Sequence, residues 1–154
     1  MNIHIIKNNH IIYSDSLHLL KNFSNNTLSN HFRYFNKFLS SNDFPLNIIK
    51  NHIYTIIGTI NKEDLSSNIP IAYGHIDYEN NYWLGICVLN EYQNKGYGKQ
   101  IMNNLIQFVN NNNINPLFLT VDNDNLNAIH LYNKFNFSIY DSNQSFTKMI
   151  YKNN

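Results

Sequence analysis

The segment Gln93-Asn94-Lys95-Gly96-Tyr97-Gly98-Lys99 joins a β-branched, aromatic stretch to a clear amphipathic helix pattern. Two glycines at alternate positions let the backbone turn tightly and approach a ligand closely. The start of the following helix offers unpaired N–H groups and the positive end of the helix dipole, which together bind anions. The segment therefore predicts a strand–turn–helix unit that binds phosphate groups, with Lys95 and Lys99 adding positive charge.

Two other phosphate-binding patterns fit this segment less well. A P-loop needs glycine in place of Gln93 and Ser or Thr in place of Gln100, and a dinucleotide fingerprint needs glycine in place of Ile101. A strand-to-helix turn that uses its glycines for backbone geometry alone remains an alternative. A second motif is needed to choose between these interpretations.

Patterns on both sides of the turn predict the fold class. Helices are expected at about 96–110 and 125–134, and two more at about 16–23 and after Ser29, behind short apolar runs at 3–6 and 11–12. Because three consecutive strands must pair largely antiparallel, the order predicts an α/β fold with a mixed, mostly antiparallel sheet of six to seven strands and helices on both faces. A hairpin turn is expected at Glu79-Asn80-Asn81, and the strands at about 53–60, 69–78, 82–89, 117–121, 137–140 and 146–151.

Composition places the chain among single-domain globular proteins. Its 154 residues, 43% of them hydrophobic, suffice for one core, and no linker-like stretch divides residues 1–154. A formal net charge of +1 argues against nucleic-acid or anionic-membrane partners. Cys87 is the only cysteine, and no signal-peptide or membrane-spanning pattern is present, so we expect a cytoplasmic protein. No metal is expected, because no metal-ligand spacing relates His4, His10, His18, His31, His52 and His130.

The segment from Asn125 to Phe137 carries a second motif, which opens with a residue suited to helix capping. With this motif the chain resembles the GNAT superfamily of N-acetyltransferases. The cofactor motif of that family, Gln/Arg-x-x-Gly-x-Gly/Ala, matches Gln93 to Gly98. Its later motif, Asn-x-x-Ala-x-x-x-Tyr-x-x-x-Gly-Phe, matches Asn125, Ala128, Tyr132 and Phe137. The resemblance spans residues 52–140, which we expect to form the cofactor-binding core.

Two positions depart from the family pattern. Asn136 stands where the family usually has glycine, and asparagine tolerates the left-handed conformation better than other residues do. Thr120 stands where many members carry a strand glutamate that helps to activate the amine. The second departure leaves the identity of the general base open.

The resemblance implies a GNAT-like fold with acetyl-CoA as the co-substrate. In the family, the pyrophosphate lies against backbone amides of the turn, and the pantetheine arm pairs with the preceding strand. These roles fall here on Gln93, Asn94, Lys95, Gly96, Tyr97, Gly98 and Lys99 for the turn and on Ile86, Cys87 and Val88 for the strand. The resemblance also places an amide that stabilises the tetrahedral intermediate near Val88 and a pantetheine contact at Asn125, although helix capping alone would explain Asn125.

Tyr132 corresponds to the tyrosine that serves as general acid in the family and protonates the departing thiolate. A tyrosine hydroxyl suits this step because it stays protonated at neutral pH. The alternative is an aromatic side chain that only packs in the core of an amphipathic helix, since the chain has 11 tyrosines.

The attacking amine must lose a proton, and His75 is the leading candidate for the base. A hairpin that pairs Tyr78 with Tyr82 places His75 opposite Gly85-Ile86, near the expected thioester. Histidine has a pKa suited to proton transfer near neutral pH, but a sheet histidine without chemistry is the alternative. His75 shares its strand face with Tyr73 and Asp77.

Other groups on these strands take lesser roles. Asp77 and Glu91 are reserve candidates for the base. A covalent acetyl intermediate on Cys87 is disfavoured, because a lone strand cysteine usually behaves as a small hydrophobic residue and no activating partner is visible. We therefore expect direct attack of the amine on the thioester in a ternary complex.

The acceptor is the hardest part to predict. Arg33 lies within the aromatic run Leu28 to Phe35, which either packs as an amphipathic helix or holds an anionic or ring-bearing substrate. Segments 73–77 and 82–86 resemble family members that acetylate amino sugars on nucleotide carriers. The leading hypothesis is a small-molecule amine contacted by Arg33, Tyr73 and Asp77, in a monomer or homodimer. A protein N-terminal or lysine acetyltransferase and a degenerate CoA-binding module are the alternatives.

Overall fold

The computed structural model describes residues 1–26, 46, 48–61 and 68–152. The helix predicted after Ser29, with the candidate substrate residue Arg33, lies outside the described residues. No helix within the described ranges is long and apolar enough to cross a membrane.

The described residues form eight strands and three α-helices, close to the predicted order. The helices are α1 (Leu17–Asn26), α2 (Tyr97–Asn111) and α3 (Leu126–Lys134). The strands are β1 (Asn2–Asn8), β2 (Ile11–Ile12), β3 (His52–Asn61), β4 (Asn68–Glu79), β5 (Asn81–Val88), β6 (Leu117–Asp122), β7 (Ser138–Ser142) and β8 (Phe146–Tyr151).

All eight strands belong to one sheet with the order β2-β1-β3-β4-β5-β6-β8-β7. Every neighbouring pair is antiparallel except β5 and β6, which are parallel. This confirms the mixed, mostly antiparallel sheet. The sheet has one strand more than the upper end of the predicted range, because the apolar run at Ile11–Ile12 pairs with β1 as the two-residue strand β2.

The β4–β5 hairpin has the register predicted from its short turn. Asn80 forms the turn with a φ of 62°, a left-handed conformation that asparagine tolerates better than most residues. Tyr78 pairs with Tyr82, and therefore His75 pairs with Gly85. The hairpin fixes which side chains of the two strands lie opposite each other, because no bulge interrupts it.

Side chains that alternate along the strands build a separate apolar cluster on each face of the sheet. Helix α2 packs so closely on one face that a Cβ atom on Gly74 would lie 2.6 Å from Ile101. On the other face Phe23 of α1 stacks on Tyr73, with ring centroids 5.8 Å apart. Both rings are fully buried, and burial of each such side chain contributes about 2 kcal/mol. Helices therefore cover both faces of the sheet, as predicted.

Candidate active site

The turn before α2 leaves the backbone amides of the first helical residues open. Gly96 precedes the helix with a φ of 83°, and no side chain among the described residues caps the helix there. A Cβ atom on Gly96 would have no described neighbour within 4 Å. Asn94 also has a left-handed backbone, with a φ of 58°. The uncapped amides and the positive helix end make this turn suited to a phosphate group.

The second glycine of the motif has a different role. A Cβ atom on Gly98 would lie 3.3 Å from Leu131 of α3 and 3.9 Å from Val88 of β5. Gly98 thus lets α2 approach both α3 and the end of β5. The sequence predicted that both glycines serve the ligand, whereas the structure shows Gly98 in a packing contact.

Two polar side chains of the turn hold the turn itself. Gln93 donates from Nε2 to the carbonyl oxygen of Val88 over 3.1 Å and to Oδ1 of Asn90 over 3.0 Å. The ammonium of Lys95 donates to the carbonyl oxygen of Glu91 over 2.9 Å and lies over the ring of Tyr92. These three hydrogen bonds fix the path between β5 and α2.

Strand β5 separates from β6 after Trp83, well before β5 ends at Val88. The two strands pair only at Tyr82 with Leu117 and at Trp83 with Phe118. Beyond that point β5 continues to Val88 while paired on its other side with β4. The edge of β5 over Ile86–Val88 is therefore not paired with β6, which is the arrangement an extended ligand needs if it is to add as a further strand.

Helix α3 places Tyr132 in the core next to this opening. Asn125 caps the helix by accepting from the amide of Ala128 over 3.3 Å, and Asn136 ends the following turn with a left-handed φ of 62°. Tyr132 is buried in the apolar cluster on the α2 side of the sheet, which also contains Ile101 and Leu105. Burial, and to a lesser extent the Cys87 thiol nearby, raises the pKa of Tyr132 above its ordinary value, so the hydroxyl keeps its proton at neutral pH.

Cys87 lies on β5 with its side chain in the α1-side cluster. Burial raises the pKa of its thiol to about 12. The thiolate is the nucleophilic form of cysteine, and it is scarce here near neutral pH. The environment of Cys87 is therefore that of an inert thiol.

His75 lies on the α1 side of β4, together with Tyr73 and Asp77, as the strand alternation predicted. It is 3% exposed, and its Nε2 lies 3.8 Å from Oδ2 of Asp77. The His75 ring lies across the backbone of Gly85, where a Cβ atom would overlap the ring. Gly85 therefore makes room for His75, and the sequence offered only the hairpin register as a clue to this contact.

His52 lies beside His75 and Asp77, and the three side chains form a cluster that the sequence did not reveal. The ring of His52 stacks on that of His75 with centroids 4.3 Å apart and planes 3° apart, and its Nδ1 lies 2.8 Å from Oγ1 of Thr55. The ligand atoms of His52, His75 and Asp77 lie within 4.8 Å of one another. However, the nitrogen lone pairs of an imidazole lie in the plane of its ring. Because the two stacked rings are parallel, their lone pairs do not point at one common metal ion.

Glu91, the remaining candidate for the base, is not part of this cluster and is exposed in the turn at Asn90–Tyr92. Thr120 is exposed on β6, on the far side of the opening, and pairs with Lys148 of β8. A surface groove lined by Asn110, Asn136 and Tyr151, among others, lies at the opposite end of α2, which is about 20 Å from the turn. This groove therefore lies outside the candidate active site.

Comparisons with known proteins agree with this geometry. The sequence matches the Acetyltransferase (GNAT) family over residues 18–137, which is more than half of the chain. No curated protein matches the chain.

Solved structures share the fold at low sequence identity. An acetyltransferase of the GNAT family from Streptococcus pneumoniae has a TM-score of 0.67 at 18% identity, covering 99% of this chain and 100% of that one. A protein from Streptococcus mutans has a TM-score of 0.69 at 15% identity, covering 99% of each chain. The PaiA N-acetyltransferase from Thermoplasma acidophilum, solved with coenzyme A, has a TM-score of 0.62 at 16% identity, covering 99% of this chain and 100% of that one.

The family match includes the turn before α2, the opening between β5 and β6 and the whole of α3. The chain therefore belongs to the GNAT family of acetyltransferases, and it is an acetyl-CoA-dependent N-acetyltransferase.

Proposed function

We propose that this enzyme acetylates a primary amine of a small molecule by direct attack in a ternary complex. The opening between β5 and β6 carries this proposal. The uncapped turn before α2 lies at one end of β5, Cys87 lies on that strand, and Tyr132 and His75 lie beside it. A thioester bound along β5 would thus meet a proton donor and a proton acceptor.

The turn would hold acetyl-CoA, whose thioester supplies the acetyl group. The amides after Gly96 would bind the pyrophosphate, with Asn94, Tyr97 and Lys99 around it. Ile86, Cys87 and Val88 would pair with the pantetheine arm, and an amide near Val88 would bind the thioester oxygen. Gln93, Lys95 and Gly98 would support this arrangement by fixing the turn, and Asn125 by capping α3.

Tyr132 would act as the general acid. Its hydroxyl carries a proton at neutral pH and would pass it to the sulfur as the carbon–sulfur bond of the tetrahedral intermediate breaks. Coenzyme A then leaves as a neutral thiol, which does not attack the new amide.

His75 would act as the general base, directly or through a water molecule. It would accept a proton from the ammonium form of the acceptor and so supply the neutral amine. Asp77 at 3.8 Å would stabilise the imidazolium that forms. Direct attack is favoured over an acetyl-Cys87 intermediate because the Cys87 thiol stays protonated.

The acceptor and the setting of the reaction are also part of the proposal. An amino sugar on a nucleotide carrier is the leading acceptor, with Asp77 in its site and Arg33 as a further contact. Tyr73, which the sequence suggested as a substrate contact, is fully buried under Phe23 and would instead pack against His75. We place the enzyme in the cytoplasm as one domain over residues 1–154, a monomer or homodimer.

A thiol-release assay tests this function. Acetyl-CoA would be mixed with the enzyme and with panels of small amines, amino-sugar nucleotides and peptides, against a control without acceptor. We expect release above the hydrolysis rate with small amines. Release with peptides alone would identify a protein acetyltransferase, and tight acetyl-CoA binding without release would identify a CoA-binding module.

A further inference from the structure

Three aromatic rings surround the ammonium of Lys148 on β8. The Lys148 Nζ atom lies 4.9 Å from the ring centroid of Trp83, 4.4 Å from that of Phe118 and 5.0 Å from that of Tyr140. The Phe118 ring lies 5.6 Å from Trp83 and 5.3 Å from Tyr140. We name these four residues the Lys148 cluster. Cation–π contacts with several rings hold the ammonium in one place.

Strand register places this cluster on the α1 side of the sheet, the side that carries His75. Asp77 pairs with Trp83, and Trp83 pairs with Phe118, so all three point to the same side. Thr120 is two residues beyond Phe118 and pairs with Lys148, which therefore also points there. His75 and Lys148 thus lie on the same side of the sheet, with the opening between β5 and β6 between them.

The charges on the two sides of this opening differ in sign. Asp77 and His75 on β4 suit an ammonium group that must lose a proton. Lys148 on β8 offers a fixed positive charge, and among residues 1–26, 48–61 and 68–152 no carboxylate forms an ion pair with it. Asp141, its pairing partner on β7, is exposed and accepts from the amide of Ser142 instead.

The rings of the cluster already hold a cation, so a second ammonium group would be repelled there. An anionic group would instead meet a charge that has lost its rotational freedom before binding, which lowers the entropic cost of the contact. Carboxylate and phosphate groups are the anions that lysine binds in proteins.

From this arrangement we propose that the acceptor carries a carboxylate or phosphate group that binds at Lys148 while its amine lies at His75 and Asp77. The proposal rests on the proposed acetyltransferase function and narrows its substrates to amines that also bear an anionic group. Lys148 is then a specificity-determining residue, with Trp83, Phe118 and Tyr140 holding its ammonium in position.

Fluorescence tests this proposal without requiring turnover, because Trp83 is the only tryptophan of the chain. Wild-type enzyme, Lys148→Met and Lys148→Arg would be titrated with inorganic phosphate, acetate and tetramethylammonium at constant ionic strength. We expect a saturable change with phosphate or acetate in the wild type and in Lys148→Arg, and none in Lys148→Met. Lys148→Met keeps the apolar stem, and its melting temperature would check that it folds.

Matched acceptors test the same site in the reaction. Ethanolamine, β-alanine and O-phosphoethanolamine share one aminoethyl group and differ in bearing a hydroxyl, a carboxylate or a phosphate. We expect Lys148→Met to lower kcat/KM about tenfold or more for an anionic acceptor, mainly through KM, and to lower it by a clearly smaller factor for ethanolamine. The better of the two anionic acceptors identifies the group.

Three results would overturn the proposal. The first is a saturable fluorescence response to tetramethylammonium alone, which would assign the rings to a cationic ligand. The second is an anion response that Lys148→Met retains, and the third is equal loss of kcat/KM for all three amines. Absence of thiol release with every acceptor, together with an intact anion response, would count against the acetyltransferase function and not against the anion site.

Discussion

The two sides of the site are built in different ways. The proposed acetyl-CoA side consists of backbone: the open amides after Gly96 and the edge of β5 that β6 leaves unpaired, formed within a short piece of sequence. The proposed acceptor side consists of side chains from five strands, β4 to β8, including His75 on β4 and Lys148 on β8. A backbone site depends on conformation, so it needs glycines and a helix start at fixed spacing, and this spacing can be recognised as a sequence motif. A side-chain site needs only the sheet to bring its residues together, so its residues share no sequence motif.

The largest expected effect is the loss of acetyl-CoA binding in Gly96→Glu. A carboxylate at Gly96 would occupy the pyrophosphate site and repel it, and the φ of 83° adds strain for any side chain. Calorimetry should detect no binding. Asn113→Glu is a matched control, because Asn113 has a φ of 51° at the other end of α2 and takes the same charge. Unchanged acetyl-CoA affinity in Gly96→Glu would show that the amides after Gly96 do not bind the pyrophosphate.

Tyr132→Phe should lower kcat by about 10²-fold while acetyl-CoA affinity stays the same. The phenyl ring keeps the packing of α3 but has no proton to give the thiolate. Stopped-flow or steady-state thiol release would measure kcat, with calorimetry for affinity. Tyr151→Phe serves as the control, because it removes only a hydroxyl that donates to Asn110 over 3.1 Å. A kcat within a factor of about two of wild type would show that another group protonates the thiolate.

His75→Ala should have an effect that depends on pH. At low pH, where little free amine exists, kcat/KM should fall by up to about 10²-fold, and the loss should shrink as pH rises and the amine arrives neutral. A kcat/KM profile against pH for both proteins is the measurement. Profiles that run parallel would assign His75 to packing and eliminate it as the base.

Gly85→Ala sharpens this test, because the new methyl group must displace the His75 ring. We expect the same pH-dependent loss, at about tenfold. In Gly58→Ala the new methyl group meets only the flexible end of Met1, so this variant controls for adding a methyl group to the sheet. If Gly85→Ala were fully active at low pH, the position of His75 would not matter to the reaction.

Cys87→Ala should keep wild-type activity within a factor of about two, because the thiol is not the nucleophile. The variant should differ in how its stability depends on pH. The pKa of the Cys87 thiol is 9.0 in its ordinary environment, and burial raises it to about 12 in the folded chain. The contribution of the buried thiol to the free energy of unfolding is therefore fully present below pH 9 and is lost as pH rises toward 12. Urea unfolding from pH 8 to 11 should show the wild type losing up to about 3 kcal/mol more than the variant. Equal losses would mean that Cys87 is not buried as a thiol.

The β4–β5 hairpin shows which contacts of the site could be predicted from the sequence. The pairing of His75 with Gly85 followed from a short turn and an uninterrupted register. The stacking of His52 on His75 did not follow, because β3 and β4 pair with two register shifts and are joined by residues 62–67. Each shift changes which side chains lie opposite, and nothing in the local pattern fixes where a shift occurs.

The Lys148 cluster could not be predicted from the sequence for a related reason. It depends on β8 pairing between β6 and β7 and on a parallel contact between β5 and β6. Strand order of this kind comes from packing across the whole sheet. The motif residues and the element types were predictable because each depends on local spacing, and the placement of helices on both faces followed from the order of the elements.

The position of β8 has a consequence for how the chain is synthesised. Residues 138–142 form the edge strand β7, and their partner in the sheet is β8, made of residues 146–151. During translation β7 leaves the ribosome first and has no neighbour to pair with until β8 follows. A product that stops before residue 146 would lack β8 and leave the edges of both β6 and β7 unpaired, exposing strand edges of the kind that promote aggregation. Such a truncated product would be a substrate for cellular proteases, so the ribosome must complete β8 before this half of the sheet can persist.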